Sequence, residues 1–172
     1  MGVRTVIVGH RRLPEDAVAV ILAAFPEEPE DRIRAFWPDG SVHALVYNGD
    51  TLVGHAGFVT RTLYLPRRAF HTAYVEYVAV EPKRRRYGTA AIRALQTEIE
   101  RRGFLLAALA TGSPGFYERL GWQMWRGPTA YRAENGAVVP TPDEKPMVLD
   151  LGANVNLDDP IECDWRPKGD IW

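Results

Sequence analysis

The stretch most suggestive of chemistry is a basic, glycine-containing segment that follows an apolar run. Tyr74–Val80 is rich in β-branched and aromatic residues and predicts a buried strand. Pro82 ends the strand because proline donates no ladder hydrogen bond, and three arginines and Gly88 lead into a predicted helix. The first amides of a helix lack intrahelical partners and attract anions, and glycine lets an oxygen approach the backbone closely. The segment therefore predicts a phosphate cradle. Its residues are Arg85, Arg86, Gly88, Thr89 and Ala90.

The spacing excludes two other phosphate-binding loops. A nucleoside triphosphate loop would need Gly-Lys-Ser or Gly-Lys-Thr after the glycine, and neither follows here. A dinucleotide-binding turn would need two more glycines at fixed positions. A strand end followed by a solvated basic loop is the alternative interpretation.

One acidic residue, Glu76, interrupts the apolar run of the predicted strand. A buried carboxylate is costly without partners, so this position needs a physical reason. Glu76 is predicted either to face an open cleft or to form an ion pair with a neighbouring arginine.

The length of the chain and its order of predicted strands and helices indicate a single α/β domain over residues 1–172, which positions these residues. In the first half, turn residues and apolar periodicity predict the strand Val3–Val8, a helix from Pro14 to near Pro26, a short helix Arg32–Trp37, and a hairpin of Val42–Tyr47 with Thr51–Leu65. In the second half they predict the strand Phe70–Val80, the helix Gly88–Arg102, the buried strand Phe104–Ala110, a short helix from Pro114, and strands at Trp122–Trp125 and Met147–Leu151. Strand, helix and strand from Phe70 to Ala110 predict a βαβ unit.

Composition narrows the class of protein. The chain has 172 residues and a net charge of −1, which argues against a nucleic-acid or membrane-surface protein. Its single cysteine, Cys163, cannot form an internal disulfide, and no apolar run reaches spanning length. The sequence predicts a soluble cytoplasmic protein without a metal site.

The cradle resembles a known motif. Arg85-x-x-Gly88-x-Ala90 is similar to the pyrophosphate loop of the GNAT superfamily of N-acetyltransferases, which reads R/Q-x-x-G-x-G/A. The resemblance implies acetyl-CoA as cofactor, held also by backbone groups of Val78 and Val80. It implies the GNAT fold, a mixed and mostly antiparallel sheet that is splayed at the motif strand, with helices on both faces. A bulge in that strand would leave amides for the acetyl carbonyl oxygen.

A second signature lies downstream. Phe116-Tyr117-x-x-Leu120-Gly121-Trp122 resembles the family pattern F/L-Y-x-x-x-G-F/W, which implies that Tyr117 lies near the sulfur of the cofactor. A phenol of pKa comparable to that of a thiol is a suitable acid for a departing thiolate. The alternative is a core tyrosine with one satisfied hydroxyl.

The end of the chain resembles a narrower group. Cys163–Trp172 is similar to the C-terminus of aminoglycoside 2′-N-acetyltransferases, C-D-W/F-R-x-G-D-x-W, and the likeness extends to segments around His43, His55 and Gly127. It implies that Asp170 and the carboxylate of Trp172 contact the antibiotic's amines, and that Glu76 reaches the reacting amine through water. Glu76, Tyr117 and Trp172 then form the predicted catalytic set. The rings of Trp165 and Trp172 are expected to pin the tail to the body.

The chain departs from that group in its acidic residues and in two loops. The tail has Pro167-Lys168 where the group usually has one residue, and the loop at 111–116 is shorter. In the rewritten acidic segment Glu27–Asp31, Glu28 replaces one substrate-binding aspartate, and Glu144 falls near another family acid.

These observations predict transfer of an acetyl group from acetyl-CoA to the 2′-amine of an aminoglycoside antibiotic, conferring resistance. Direct attack by the amine is favoured because the only cysteine lies in the tail. Two alternatives stay open: acetylation of another amine (a small aminoglycoside like kasugamycin, a polyamine or a peptide N-terminus), and a non-catalytic acyl-CoA sensor. The predicted partner is a small-molecule amine rather than a nucleic acid or a membrane, and a homodimer is left open.

Overall fold

The computed structural model describes residues 2–80 and 85–172, without the side chain of Arg85. These residues fall into two compact units. The first contains the described residues up to Val59 and those from Val75 to Arg102, and the second contains Thr60–Tyr74 and Gly103–Trp172. Two long strands, β3 (Thr51–Leu65) and β4 (Arg68–Val80), contribute one part to each unit.

In the first unit, antiparallel pairing joins β1 (Val3–Gly9) to β2 (Val42–Asn48) and β2 to the first part of β3. The predicted hairpin between β2 and β3 is confirmed, and Gly49 has a φ of +63° in its turn. Glycine suits this position because it adopts positive φ without steric cost.

Three helices belong to the first unit: α1 (Glu15–Ala24), α2 (Glu30–Phe36) and α3 (Arg85–Arg101). Helix α3 packs on β1 and β2 and buries the apolar face expected from its spacing, formed by Ala91, Ile92, Leu95 and Ile99. Several predicted boundaries differ from the observed ones, and two of them concern helix starts near the predicted site or its supports. Pro14 precedes α1 as its N-cap, and α3 begins at Arg85 rather than Gly88, because arginine itself favours the helix.

The second unit holds the remaining elements around the other parts of β3 and β4. These elements are β5 (Leu106–Leu109), α4 (Pro114–Glu118), β6 (Gln123–Met124), β7 (Thr129–Arg132), β8 (Val138–Pro140), β9 (Met147–Asp150) and β10 (Ile161–Cys163). Hydrogen bonding orders its strands β6-β9-β5-β4-β3-β10-β7-β8.

The strand directions confirm the predicted fold class. Strand β5 pairs in parallel with β4, as the βαβ prediction requires, and β10 pairs in parallel with β7. The other registered pairs in the described residues are antiparallel. The chain is therefore an α/β protein with a mixed, mostly antiparallel sheet. No helix of its described part is both long and apolar enough to cross a membrane.

Candidate functional site

Strand β4 contains a local backbone irregularity at Tyr77. This residue has a φ of +48°, a left-handed conformation that among non-glycine residues of the described chain recurs only at Asn154. A bulky residue rarely adopts this conformation, which costs of order 1–3 kcal/mol. This conformation interrupts the regular alternation of side chains between the two faces of the strand. Glu76 and Val78, on either side of it, are both half-buried. The irregularity lies where the resemblance predicted a bulge, next to Val78.

Two buried histidines form a chain of hydrogen bonds that ends at the Tyr77 carbonyl oxygen. His55 Nδ1 lies 2.8 Å from the Tyr77 carbonyl oxygen, and His43 Nδ1 lies 2.9 Å from His55 Nε2. A carbonyl oxygen only accepts, so His55 carries its proton on Nδ1 and accepts at Nε2 from His43 Nδ1–H. Burial lowers the pKa of His43 to about 3 and that of His55 to about 4, so both rings are neutral at physiological pH.

An aromatic cluster encloses the histidines. The Trp37 ring lies 4.4 Å from the His43 ring and 5.5 Å from the His55 ring, centroid to centroid. Trp37 packs so closely on β3 that a Cβ at Gly57 would lie 2.6 Å from a ring atom. Glycine at position 57 is therefore required by the tryptophan.

The predicted cradle lies partly outside the described residues. Pro82 and Arg84 are outside them, as is the side chain of Arg85. Gly88 is buried in the first turn of α3, with Thr89 and Ala90 half-buried beside it. The Arg86 side chain is exposed, and its Nη2 donates to the Tyr87 hydroxyl at 2.7 Å. Arg85 and Arg86, which were predicted to lie in a loop, thus belong to the helix, where the first-turn amides, which have no intrahelical partners, favour anions.

The acidic segment between α1 and α2 is partly neutralised. Glu28 Oε2 lies 3.3 Å from Arg32 Nε. Arg34 Nη2 lies 2.7 Å from carboxylate oxygens of both Glu30 and Glu15. The sequence showed the acids of this segment, but it did not show that these arginines pair with them. The segment therefore presents less negative charge than its composition suggests.

In the second unit, Tyr117 lies on α4 and is 7% exposed. Its ring meets Phe116 and Trp122 edge to face, with centroids 4.9 Å and 6.1 Å away. Burial raises the pKa of Tyr117 to about 12. The phenol therefore keeps its proton at physiological pH. The expectation that its pKa would be comparable to that of a thiol was wrong.

The C-terminal segment is anchored by a buried arginine of β3. Arg61, 3% exposed, donates from Nε to Asp164 Oδ1 at 2.9 Å and from Nη1 to the Ile171 carbonyl oxygen at 2.6 Å. The Cys163 thiol donates to the same carbonyl at 3.3 Å. This anchor was missed from the sequence, because an arginine in an apolar strand gives no sign of its distant partner.

The two tail tryptophans differ in their packing. Trp172 is buried, and its Nε1 donates to Thr141 Oγ1 at 2.9 Å. Trp165 is 40% exposed, so only one of the two rings expected to pin the tail is buried. Asp170 is exposed, and its carbonyl oxygen accepts from Arg166 Nε.

The structure brings together some predicted residues within each unit. In the second unit, a chain of hydrogen bonds links Glu144 to Trp172. Thr129 Oγ1 lies 3.2 Å from the Glu144 carbonyl oxygen and 3.0 Å from Thr141 Oγ1. Thr141 Oγ1 in turn accepts from the Trp172 indole. Tyr117 and Asp170 lie in the same unit. The predicted residues Glu28, Glu76, Val78, Val80, Arg85, Arg86, Gly88, Thr89 and Ala90 belong to the first unit.

A model of the acetyltransferase (GNAT) domain matches residues 14–125. The chain therefore belongs to the GNAT acetyltransferase family, as the cradle motif predicted.

Solved structures with the same fold include three bacterial proteins. A conserved protein of unknown function from Enterococcus faecalis V583, a probable N-acyltransferase, matches with a TM-score of 0.62 at 18% identity, over 72% of this chain and 33% of that chain. A GCN5-related N-acetyltransferase from Kribbella flavida matches with a TM-score of 0.60 at 22% identity, over 74% of this chain and 34% of that one. The chain thus spans about a third of the length of these two proteins.

The third is the aminoglycoside 6′-N-acetyltransferase from Enterococcus faecium, with a TM-score of 0.60 at 16% identity. This match covers 88% of the present chain and 99% of the enzyme. At these identities the three likenesses show the fold alone.

Proposed function

We propose that the protein is an acetyl-CoA-dependent N-acetyltransferase that acetylates the 2′-amine of an aminoglycoside by direct attack. The observation that carries the proposal is the left-handed Tyr77 in β4. It distorts strand β4 beside Val78, and a bulge-like distortion can leave backbone groups of a strand available to a ligand. Membership of the acetyltransferase family supports the same chemistry.

The described residues fit acetyl-CoA. The first turn of α3 combines a buried glycine and the exposed guanidinium of Arg86 with amides that have no intrahelical partners, which suits a pyrophosphate. Gly88, Thr89 and Ala90 would hold it together with Arg85 and Arg86. Backbone groups of Val78 and Val80 would hold the pantetheine and acetyl parts. When bound, acetyl-CoA supplies a thioester carbonyl that an amine attacks.

The proton-handling roles go to two side chains. Glu76 accepts the amine proton through water. Tyr117 donates its hydroxyl proton towards the leaving sulfur. Because the pKa of Tyr117 is about 12 and that of a thiol is about 8.5, complete transfer is uphill. Tyr117 therefore acts chiefly as a hydrogen-bond donor that stabilises developing negative charge.

The aminoglycoside part of the proposal rests on the acidic groups. Asp170 and Trp172 in the anchored tail, with Glu28 and Glu144, are the proposed contacts for the ammonium groups. The fold is shared with an enzyme named for aminoglycoside 6′-acetylation, and acetylation would confer resistance. A second candidate, a smaller or less cationic amine, is favoured by one observation: Arg32 and Arg34 pair with Glu28 and Glu30.

The test is thiol release from acetyl-CoA across a panel of amines. Kanamycin B and kanamycin A form a matched pair, because they differ only in an amine or a hydroxyl at the 2′ position. The proposal expects release with kanamycin B and none with kanamycin A. Equal release with both would exclude the 2′ site, whereas release with kasugamycin or spermidine alone would favour the second candidate. No release with any amine, peptides included, would exclude the proposed transferase.

A further inference from the structure

We propose that His55 and His43 are positioning residues that fix the peptide between Tyr77 and Val78, and thereby aim the Val78 amide at the acyl group of the bound donor. The inference rests on the proposed function, because it concerns the same site. Neither histidine would touch a substrate. Both would act through the backbone of β4.

The first step of the argument is peptide geometry. The Tyr77 carbonyl and the Val78 N–H belong to one planar peptide unit and point in opposite directions when the bond is trans. A hydrogen bond that fixes the direction of the carbonyl therefore also fixes the direction of the amide. His55 Nδ1 makes such a bond at 2.8 Å. The Val78 N–H accordingly points away from His55.

The second step is the strain at Tyr77. A left-handed conformation at a bulky residue persists only where the surroundings determine it. The tyrosine ring is held edge to face by Phe25 and Phe36, with centroids 5.4 Å and 5.1 Å away. Ring contacts act on the side chain rather than on the carbonyl. The bond from His55 acts on the carbonyl itself.

The third step gives His43 its role. His55 presents a proton to Tyr77 only as the Nδ1–H tautomer, because the other tautomer would direct a lone pair at the carbonyl oxygen. His43 Nδ1–H donates to His55 Nε2 at 2.9 Å and thereby selects that tautomer. Both side chains are fully buried, so water does not take over this role.

The fourth step is that the cluster is not arranged for stability alone. Trp37 Nε1 and His43 Nε2 are buried, and neither has a hydrogen-bond partner among the described residues. An unpaired buried donor and an unpaired buried acceptor each reduce the free energy of unfolding. Apolar residues of similar size would avoid both costs. The cluster retains two polar rings whose hydrogen bonds end on the Tyr77 carbonyl.

The test compares two substitutions that each preserve one of the two hydrogen bonds of His55. In His55→Asn the side-chain amide occupies the position of Nδ1 and still donates to Tyr77. In His55→Gln the amide reaches the position of Nε2, which keeps the bond from His43 and loses the bond to Tyr77. The expected result, by isothermal titration, is that His55→Gln raises the Kd for acetyl-CoA at least ~10-fold, about 1.4 kcal/mol. His55→Asn should stay within about threefold of wild type, about 0.7 kcal/mol.

The control is His71→Gln, an exposed histidine of β4, which should leave the Kd unchanged. Equal weakening by Asn and Gln at position 55 would assign the histidine a general packing role and overturn the inference, as would wild-type affinity in His55→Gln. If His55→Gln does not fold, His43→Leu decides. It keeps the bond to Tyr77 but removes the group that selects the tautomer, so affinity should fall several-fold, and unchanged affinity would overturn the inference.

Failure of the inference and failure of the proposed function are distinguishable. Wild-type protein that binds no acetyl-CoA would refute the function only. The φ of residue 77 in crystals of the ligand-free variants would then test the positioning role. A φ that stays positive in His55→Gln would overturn that role, whereas an extended strand in His55→Gln and a positive φ in His55→Asn would support it.

Discussion

Tyr117 holds its proton more tightly than an ordinary tyrosine, because its hydroxyl is buried among aromatic rings. A raised pKa makes the phenol a weaker acid, but it also keeps the phenol neutral well above pH 10. The proposed contribution of Tyr117 therefore persists across the pH range in which amines are deprotonated and reactive. An alkaline decline in rate would have to come from another group.

We predict that Tyr117→Phe lowers kcat roughly 10²-fold, at the lower end of the range for general acid catalysis because the pKa is unfavourable. The phenylalanine ring keeps the contacts with Phe116 and Trp122, so the melting temperature and the affinity for acetyl-CoA should not change. The measurement is thiol release under saturating substrates. Tyr131→Phe, a tyrosine of β7 without a proposed role, is the control. A kcat within twofold of wild type would mean that Tyr117 does not stabilise the leaving sulfur.

Among the elements, α3 carries the largest share of the proposed cofactor site. Its first turn contains Arg86 and Gly88, so a guanidinium group and amides without intrahelical partners belong to one short segment. The helix is held in place by its apolar face on β1 and β2.

We predict that Gly88→Val raises the Kd for acetyl-CoA more than ~10-fold, or 1.4 kcal/mol, because a branched side chain would occupy the approach of the pyrophosphate. Ala94→Val adds a similar volume at a half-buried position of the same helix and is the matched control. Both proteins would be titrated with acetyl-CoA and with CoA. Wild-type affinity in Gly88→Val would remove this turn from the cofactor site.

The C-terminal segment is both a structural element and a proposed binding element, and the two roles require different substitutions. Removing Ile171 and Trp172 would take the acceptor from Arg61 and a buried ring from the core, so a lower melting temperature is expected whatever the substrate. Asp170 is exposed, and its side chain is a better probe of substrate binding.

We predict that Asp170→Asn raises the KM for a polyamine antibiotic such as kanamycin B about tenfold, since hydrogen bonds to charged groups contribute ~1.5–3 kcal/mol. The KM for acetyl-CoA should remain that of the wild type. Glu134→Gln, an exposed acid between β7 and β8, controls for the change in net charge. If both variants weaken the amine equally, the effect is long-range electrostatics rather than a contact.

Elements whose signals are local could be predicted from the sequence. The hairpin of β2 and β3 follows from Asn48-Gly49, and the buried face of α3 follows from its helical spacing. Strand β10 could not be predicted, because it has only three residues. These residues form a strand through their pairing with β3 on one side and β7 on the other. The site shows the same division. The family motifs name its residues, whereas the bond from His55 to Tyr77 joins positions 22 residues apart and carries no local pattern.

At the scale of the whole molecule, the two buried histidines make stability depend on pH. Their folded-state pKa values of about 3 and about 4 lie below the ordinary value of 6.5. Between those values and pH 6.5 the unfolded chain binds protons that the folded chain does not. Stability therefore rises with pH through this window and is lost as the pH falls below about 6.5.

We predict that the free energy of unfolding falls by roughly 2–3 kcal/mol between pH 7 and pH 5.5 on account of this pair. His55→Asn should lose about half of that decrease, because one of the two titrating groups is gone. Urea unfolding at several pH values measures both slopes. Identical slopes for the two proteins would show that these histidines are not buried in their neutral form.

The anchor of Arg61 also sets an order of events during synthesis. Its partners Asp164 and Ile171 follow it by 103 and 110 residues, which is roughly 5–20 s of translation at the usual speed of a ribosome. The His43–His55–Tyr77 contacts span only 12 and 22 residues and are available to a nascent chain much earlier. The second unit can bury its arginine only after the last turn of the tail has left the exit tunnel. Until then β3 carries a cation without these partners, and we expect its charge to keep this part of the strand solvated in the growing chain.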